Sequence, residues 1–286
     1  MPAHFCGVTG LKPTNGRVSR ANAMPLSFTL DTVGPLARTA EDCALIVAAI
    51  AGPDPLDPTT EGAPAWNAKA AKRAPRGMTI GIPKSFYVDD LEADIAKAFE
   101  EAIATFKKLG VRIVPVDLPD QSLVSAAALI VIAVEAATTH APWLRTRAAD
   151  YGEQVRNRLA NGLAYSGIEY LEALRWRGPA LAAHLAAIGK CDVILAPAVR
   201  TVAPTIADTD VGGSANAEAV ILGITRFMRP VNYLGLPSLV VPAGFGQRTM
   251  PIGLQLIGRP FRDETLIALG SAFQAATDHH RRAPIL

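Results

Sequence analysis

A strand–helix–strand pattern between residues 78 and 118 constrains the fold of this 286-residue chain more than any other feature. The segment begins with a short apolar run, MTIGIP, which is typical of a strand closed by a proline. Apolar residues then recur every three or four positions from Leu91 to Phe106, as on one face of a helix, and Gly110 follows as a stop signal. The next run, VRIVPV (111–116), is again strand-like. Strands joined in this way are parallel, so the segment predicts an α/β fold whose sheet is at least partly parallel and covered by helices.

The rest of the chain continues this mixture of strands and helices. Further strands are predicted at 192–199, 238–243 and 252–258, and helices at 39–51, 122–139, 151–187, 214–228 and 263–277. The stretch 52–77 is rich in Pro and Ala without periodicity. It predicts a long surface connection rather than a domain boundary, because a strand follows at once. We therefore expect one α/β domain over 1–286.

Composition excludes several classes of function. The net charge is +2 and 19% of the residues are charged, so the sequence has no basic footprint for nucleic acid or for a membrane surface. The longest apolar run, AAALIVIAV before Glu135, is much shorter than the roughly 20 residues that span a bilayer and predicts a buried helix. The first twenty residues lack the pattern of a secretory signal. We therefore expect a soluble, cytoplasmic protein.

The residue types that usually hold metals or cofactors are scattered. Cys6, Cys43 and Cys191 are odd in number and far apart, which predicts buried, reduced thiols. The histidines show no metal-ligand spacing, and no glycine-rich nucleotide loop lies between a strand and a helix. The sequence therefore predicts neither a metal nor a cofactor. Ser214 follows two glycines but precedes ANAEAVILG, so we interpret it as a helix N-cap rather than a nucleophile.

The first forty residues carry the most specific motif. The close spacing of Gly7, Gly10, Pro13 and Gly16 in PAHFCGVTGLKPTNGRVSR is typical of a tight loop inside a folded domain. With the following SFTLDTVGPLARTAEDCALI, this segment resembles the amidase signature family. The family pattern is P-A-x-x-C-G-V-x-G-[LF]-K-P-T-x-G-R followed by S-x-D-x-x-G-P-x-A-R-[TS]. Thr29 stands where that family usually has serine.

The resemblance continues toward the C-terminal end. The strand–helix–strand segment at 78–118 looks like the family's insert after the signature. CDVILAPAV, RPVNYLGLPSLVVPAGF and MPIGLQLIGRPFRDETL are similar, in this order, to three later motifs of the family. The resemblance implies the family's α/β/α fold, a large mixed sheet between layers of helices, here without the N-terminal part of the domain.

By this resemblance the reaction is hydrolysis of a carboxamide through an acyl-enzyme, which needs an activated nucleophile, a base and donors for an oxyanion. The family uses a Ser–Ser–Lys triad, with the nucleophile in a G-G-S-[IV]-R motif just before the P-A that here begins at Pro2. We therefore expect the triad upstream of Met1 and assign no catalytic residue within 1–286. Lys12 and Lys84 are interpreted as structural. The chain as given is expected to be inactive alone and unlabelled by a fluorophosphonate probe.

Three residues are candidates for the wall of a substrate pocket. Arg177 falls near the position where family members that act on carboxylate-bearing amides place a binding arginine. Thr225 falls where the glutaminase subunit of tRNA-dependent amidotransferases has an aspartate that holds the substrate amine, and Phe227 lies beside it. A threonine at this position argues against glutamine as the substrate.

The sequence leaves three interpretations open. The first is an amidase that hydrolyses a small-molecule amide. The second is the glutaminase (A) subunit of a tRNA-dependent amidotransferase, which works with partner subunits. The third is a non-catalytic fragment or pseudoenzyme. The substrate stays undefined, because a fold does not fix a substrate, and a homodimer is compatible with the sequence.

Overall fold

The computed structural model describes residues 1–212 and 215–283, so the predicted cap at Ser214 lies outside the described residues. Seven strands in the described residues form one sheet. They are β1 (Thr9–Lys12), β2 (Leu36–Ala37), β3 (Thr79–Pro83), β4 (Arg112–Val116), β5 (Val193–Pro197), β6 (Ser238–Phe245) and β7 (Pro251–Gly258). Their order across the sheet is β2-β1-β6-β7-β5-β3-β4. β4 and β5 lie parallel to β3, and the other neighbouring pairs are antiparallel. The predicted mixed sheet is confirmed.

The helices in the described residues cover both faces of this sheet. They are α1 (Pro2–Cys6), α2 (Ala40–Ile50), α3 (Ala93–Lys108), α4 (Gln121–Arg147), α5 (Glu153–Asn161), α6 (Gly167–Ile188), α7 (Ile206–Thr209), α8 (Ala217–Ile224), α9 (Met228–Tyr233) and α10 (Asp263–Ala276). The stretch 52–77 contains two short 3₁₀ turns, Pro58–Thr60 and Ala70–Lys72. The division of the chain into domains stays a prediction.

Two hydrophobic cores lie on opposite faces of the sheet. Successive side chains of the central strand β5 point to opposite faces, so this strand contributes to both cores. Val193 and Leu195 point into one core, with side chains from α2, α3 and α10. Ile194 and Ala196 point into the other, with side chains from α4, α6 and α9. All four are fully buried, as expected for a strand covered on both faces. This arrangement is the α/β/α layering that the sequence predicts.

Three predictions about local structure are wrong. The helix predicted at 214–228 ends at Ile224, and a turn at 225–227 separates it from α9. The helical pattern at 151–187 is two helices, because Ser166 starts α6 with a capping box to Glu169 after a break at 162–166. Gly162 packs against the backbone of Ala133 in α4, where a Cβ would overlap it. The thiol of Cys6 is exposed, whereas Cys43 and Cys191 are buried as predicted.

Helix α4 is longer than the pattern predicts, since it continues through Pro142 to Arg147. With the turn that follows, Gln121–Asp150 is long and apolar enough to cross a membrane by length and composition alone, a test that core helices of soluble proteins also pass. Val124 and Val131 of α4 are buried in the core, and Glu135 is 0% exposed. The observed packing therefore agrees with the predicted buried helix.

Candidate active site

The segment that carries the N-terminal motif begins with α1, which His4 fastens to the sheet. The imidazole Nδ1 of His4 accepts a hydrogen bond from the Gly253 N–H (2.9 Å), and its Nε2 donates to the carbonyl oxygen of Thr201 (3.1 Å). These bonds hold one neutral tautomer, and burial lowers the pKa of His4 to about 4. The helix ends at Gly7, whose φ of 64° turns the chain into β1.

The K-P-T-x-G-R part of the motif builds a buried ion cluster rather than a reactive site. Arg17 is 1% exposed and donates to Asp263 Oδ2 from Nε (3.3 Å) and Nη2 (3.2 Å). Glu264 Oε2 lies 3.6 Å from the same Nη2. Thr14 donates to Asp263 from its N–H and its hydroxyl, both at 2.8 Å. Because Asp263 and Glu264 lie in the first turn of α10, the cluster also complements the positive end of that helix.

Arg177 belongs to a second polar network, which is centred on Thr29. Its Nη1 donates to the carbonyl oxygen of Thr29 (3.0 Å). The buried carboxylate of Glu135 accepts hydrogen bonds from Thr29 N–H (3.0 Å), Thr29 Oγ1 (2.7 Å), Ser27 Oγ (2.5 Å) and Tyr170 OH (2.9 Å). Threonine can replace the family's usual serine at position 29, because it keeps the hydroxyl that bonds Glu135.

Lys12 lies beside this network and holds the turn that follows β1. Its Nζ donates to the Pro13 carbonyl oxygen (3.0 Å) and to Asn15 Oδ1 (3.1 Å), and Asn15 in turn donates to the Thr29 carbonyl oxygen (3.3 Å). Burial lowers the pKa of Lys12 to about 7, with the nearby charge of Arg177 adding to the effect. These contacts support the structural interpretation of Lys12.

A cleft of about 400 Å³ opens beside the same loop, lined in part by Met24, Leu26, Phe28 and Leu56. The arginine in its wall, Arg20, already donates to Asp57, to the Phe28 carbonyl oxygen and to a threonine hydroxyl. The cleft therefore offers a largely apolar surface whose arginine is already engaged, and we place the candidate active site elsewhere.

A different group of side chains gathers at the carboxyl ends of β3 and β5. Because these strands are parallel neighbours, the loops that follow them, 84–92 and 198–205, lie side by side. Glu92 N–H donates to the Arg200 carbonyl oxygen (3.0 Å), and Val202 N–H donates to Glu92 Oε2 (2.9 Å), so the two loops are bonded to each other. Ligands of open α/β sheets bind at this edge.

The turn between α8 and α9 reaches the same edge and holds the other two predicted residues. Phe227 is 1% exposed, and its ring centroid lies 5.8 Å from that of Phe86 and 5.3 Å from that of Tyr87. Thr225 Oγ1 donates to the Ile221 carbonyl oxygen (3.1 Å) and accepts from Arg229 Nη2 (2.7 Å). Phe227 therefore packs in the core beneath this edge of the sheet, and Thr225 is a hydrogen-bond partner of Arg229.

Sequence reasoning misses Arg229 as a site residue. Its Nη1 donates to Ser125 Oγ on α4 (3.1 Å), and its Nη2 also donates to the Leu222 carbonyl oxygen. These partners are distant in sequence from one another. A signal that could have found it is the RFMR run, in which Arg226 and Arg229 are three positions apart, the spacing of neighbours on a helix.

The two networks lie at different places along α4. Ser125 contacts the Arg229 network, whereas Glu135 contacts the Arg177 network. Ten residues of helix separate these positions by about 15 Å. Thr225 and Phe227 therefore share one site, and Arg177 lies in the network around Thr29.

A mixed sheet between two helix layers is an α/β architecture, and here charged side chains lie at the carboxyl ends of the parallel strands β3 and β5. The amidase family model matches residues 1–267. The chain belongs to the amidase family, as the N-terminal motif and the later motifs indicate.

Sequence relatives carry a more specific name. The chain is 36% identical to the A subunit of the glutamyl-tRNA(Gln) amidotransferase of Chromobacterium violaceum, over 100% of this chain and 63% of the relative. It is also 36% identical to the protein of the same name from Roseiflexus castenholzii, over 99% of this chain and 61% of the relative. The chain thus spans about three fifths of the length of the curated relatives that it matches.

Solved structures agree with the fold. One, described as a vestigial protein complex that reveals the origins of an s-triazine catabolic enzyme, superposes with a TM-score of 0.85 at 30% identity, over 96% of this chain and 60% of its own. A crystal structure of an amidase superposes with a TM-score of 0.80 at 29% identity, over 96% of this chain and 59% of its own. The A subunit of the glutamyl-tRNA(Gln) amidotransferase of Thermotoga maritima gives 0.79 at 29% identity, over 95% and 58%.

Proposed function

We propose that this protein is an amidase that hydrolyses the carboxamide bond of a small molecule through an acyl-enzyme. The observation that carries the proposal is the family match over residues 1–267, which includes the N-terminal motif in register, with Thr29 in place of the usual serine. The residues described above supply scaffold and pocket wall. His4 fixes the motif to the sheet, Arg17 fixes it to the start of α10, and the loops after β3 and β5 form the edge at which a substrate binds.

The test is ammonia release by the full gene product from a panel of primary amides, together with labelling by a fluorophosphonate probe. Acyl transfer through a serine predicts both amide turnover and probe labelling. Turnover without labelling would contradict the serine acyl-enzyme, and labelling of a protein that releases no ammonia from any amide would contradict the amidase assignment.

A second candidate function is that of the A subunit in a glutamyl-tRNA(Gln) amidotransferase, which the names of the relatives favour. In that case protein subunits are the partners and glutamine is the amide donor. Thr225 opposes this candidate, because its hydroxyl is engaged by Arg229 and offers no carboxylate to a substrate amine. Co-purification of the gene product with partner subunits and glutamine-dependent ammonia release would favour the second candidate. Turnover of simple amides by the isolated protein favours the first.

We also propose a cytoplasmic location, because the three scattered cysteines are predicted to be reduced thiols. The near-neutral charge supports a small-molecule rather than a nucleic-acid ligand. A homodimer is the proposed assembly if the protein works without other subunits. Light scattering coupled to size-exclusion chromatography measures this directly. A mass that matches one chain at micromolar concentration would exclude the dimer under those conditions.

A further inference from the structure

Four arginines surround the turn between α8 and α9, and their charges are largely unbalanced. Arg226 lies on the turn and Arg229 lies in the first turn of α9. The charges of Arg226 and Arg158 act on Arg229, and Arg200 Nη2 lies 2.9 Å from where a Cβ on Gly223 would be. Among residues 1–212 and 215–283, the only ion pair that any of the four makes within 4.0 Å is with Asp90. Like charges gathered without counter-charges repel one another, so such a cluster is stabilised by a bound anion.

Arg229 shows the imbalance most clearly. Its guanidinium is only partly exposed, and its three described acceptors, the hydroxyls of Ser125 and Thr225 and the Leu222 carbonyl oxygen, are all uncharged. Burial and the neighbouring arginines lower the pKa of Arg229, which is the direction expected for a cation that lacks a carboxylate partner. Neutral acceptors orient the guanidinium but leave its charge uncompensated.

Arg226 joins this cluster to a strained loop. Its guanidinium lies 4.7 Å from the centroid of the Phe86 ring, and its Nη1 lies 3.7 Å from Asp90 Oδ2. Phe86 (φ 64°) and Asp90 (φ 55°) both have left-handed backbone, which is costly for side chains other than glycine. The pair with Asp90 is long, and the Asp90 side chain is 74% exposed, so this carboxylate is a weak partner that a better-placed anion can displace.

The position of the cluster matches that of a ligand site. Phe86 and Asp90 belong to the loop after β3, and Arg200 belongs to the loop after β5, so the arginines lie at the carboxyl ends of two parallel strands. A guanidinium binds a carboxylate with two parallel hydrogen bonds, and the aromatic ring beneath Arg226 keeps its plane fixed. The cluster is therefore suited to a small carboxylate.

We propose that Arg226 and Arg229 bind a carboxylate group of the amide substrate, and that Asp90 is the counter-ion of Arg226 when the substrate is absent. This inference rests on the proposed amidase function, for which it names the substrate class as carboxylate-bearing amides. Arg226 is a specificity-determining residue, and Asp90 competes with the substrate for it.

The test compares two amides of similar length with the full gene product, succinamate, which carries a carboxylate, and butyramide, which does not. The wild-type protein is expected to have a kcat/KM for succinamate at least about tenfold above that for butyramide, since hydrogen bonds to charged groups contribute this much or more. Arg226→Gln is expected to remove that preference by lowering kcat/KM for succinamate at least about tenfold more than kcat/KM for butyramide. Asp90→Asn is expected to lower the KM for succinamate about twofold to fivefold without changing kcat, the scale of a weak exposed ion pair. The matched control is Arg175→Gln, an exposed arginine on α6, which should change neither substrate.

Calorimetric titration with succinate separates this inference from the proposed function. If neither amide is hydrolysed but succinate binds and Arg226→Gln weakens the binding about tenfold, the carboxylate site stands and the amidase assignment fails. Equal kcat/KM for the two amides, or equal losses for both in Arg226→Gln with an unchanged melting temperature, would overturn the carboxylate site. Tighter binding of inorganic phosphate than of succinate would also contradict the assignment to a carboxylate.

Discussion

Replacing Arg17 with methionine is expected to lower the free energy of unfolding by about 3–5 kcal/mol, the cost of breaking a buried ion pair from one side. Arg17 and Asp263 are 1% and 0% exposed in their side chains, and Glu264 lies within 3.6 Å of the same guanidinium. Methionine has a similar length but no charge, so both carboxylates would stay buried without a cation. The comparison is Arg147→Met, whose pair with Asp150 is shorter, at 2.7 Å, but is more than half exposed on both sides. That substitution is expected to cost less than about 1 kcal/mol.

Urea unfolding monitored by far-ultraviolet circular dichroism measures both variants. With a slope of about 3 kcal/mol per molar urea, Arg17→Met should lower the midpoint by about 1 M or more and Arg147→Met by only a few tenths. Adding Asp263→Asn and Glu264→Gln to Arg17→Met should restore part of the loss, because the uncompensated charges are then removed. Equal midpoint shifts for the two arginine variants, or no recovery in the triple variant, would refute the reasoning from buried charge.

Three further predictions concern stability. Burial lowers the pKa of both His4 and His184 to about 4, whereas the pKa of histidine in the unfolded chain is near 6.5. The folded protein is therefore expected to keep its full stability above about pH 6.5 and to lose about 2 kcal/mol for each histidine at pH 5. An unfolding midpoint that stays constant from pH 7.5 to 5 would contradict this prediction. Glu135→Gln leaves some of four donors without an acceptor and should cost about 2–3 kcal/mol, measured by urea unfolding, and a wild-type midpoint would exclude the network as a stabilising element. Gly16→Ala places a Cβ against a backbone oxygen at a φ of 82°, whereas Gly62→Ala has a similar φ of 75° and nothing within 4 Å of the new Cβ. Gly16→Ala should therefore lower the melting temperature more than Gly62→Ala. Equal melting temperatures for the two variants would show that the left-handed backbone, and not the steric overlap, determines the loss of stability.

The sequence predicts the long periodic elements well and the short or non-local ones poorly. The strand–helix–strand segment at 78–118 is confirmed because a 3.6-residue period over sixteen residues of α3 is a strong signal. β1 and β2 have only four and two residues, which is too few for an alternation of apolar and polar side chains to appear. β1 is a strand because it pairs with β6, which is distant in the sequence. The contacts of Arg229 could not be predicted, because its acceptors come from two different helices. Ser125 on α4 is 104 residues away in the sequence, and Leu222 on α8 is 7 residues away.

Trapping of the acyl group by hydroxylamine tests the central claim most directly. Formation of the acyl-enzyme from an amide releases ammonia, and the acyl group then passes to hydroxylamine, giving a hydroxamate, or to water, giving the acid. With the full gene product and succinamate, the account predicts a hydroxamate whose formation rises with hydroxylamine concentration and falls at least about tenfold in Arg226→Gln. Ammonia release without any hydroxamate at saturating hydroxylamine, or no release at all from either amide, would contradict an amidase that works by acyl transfer.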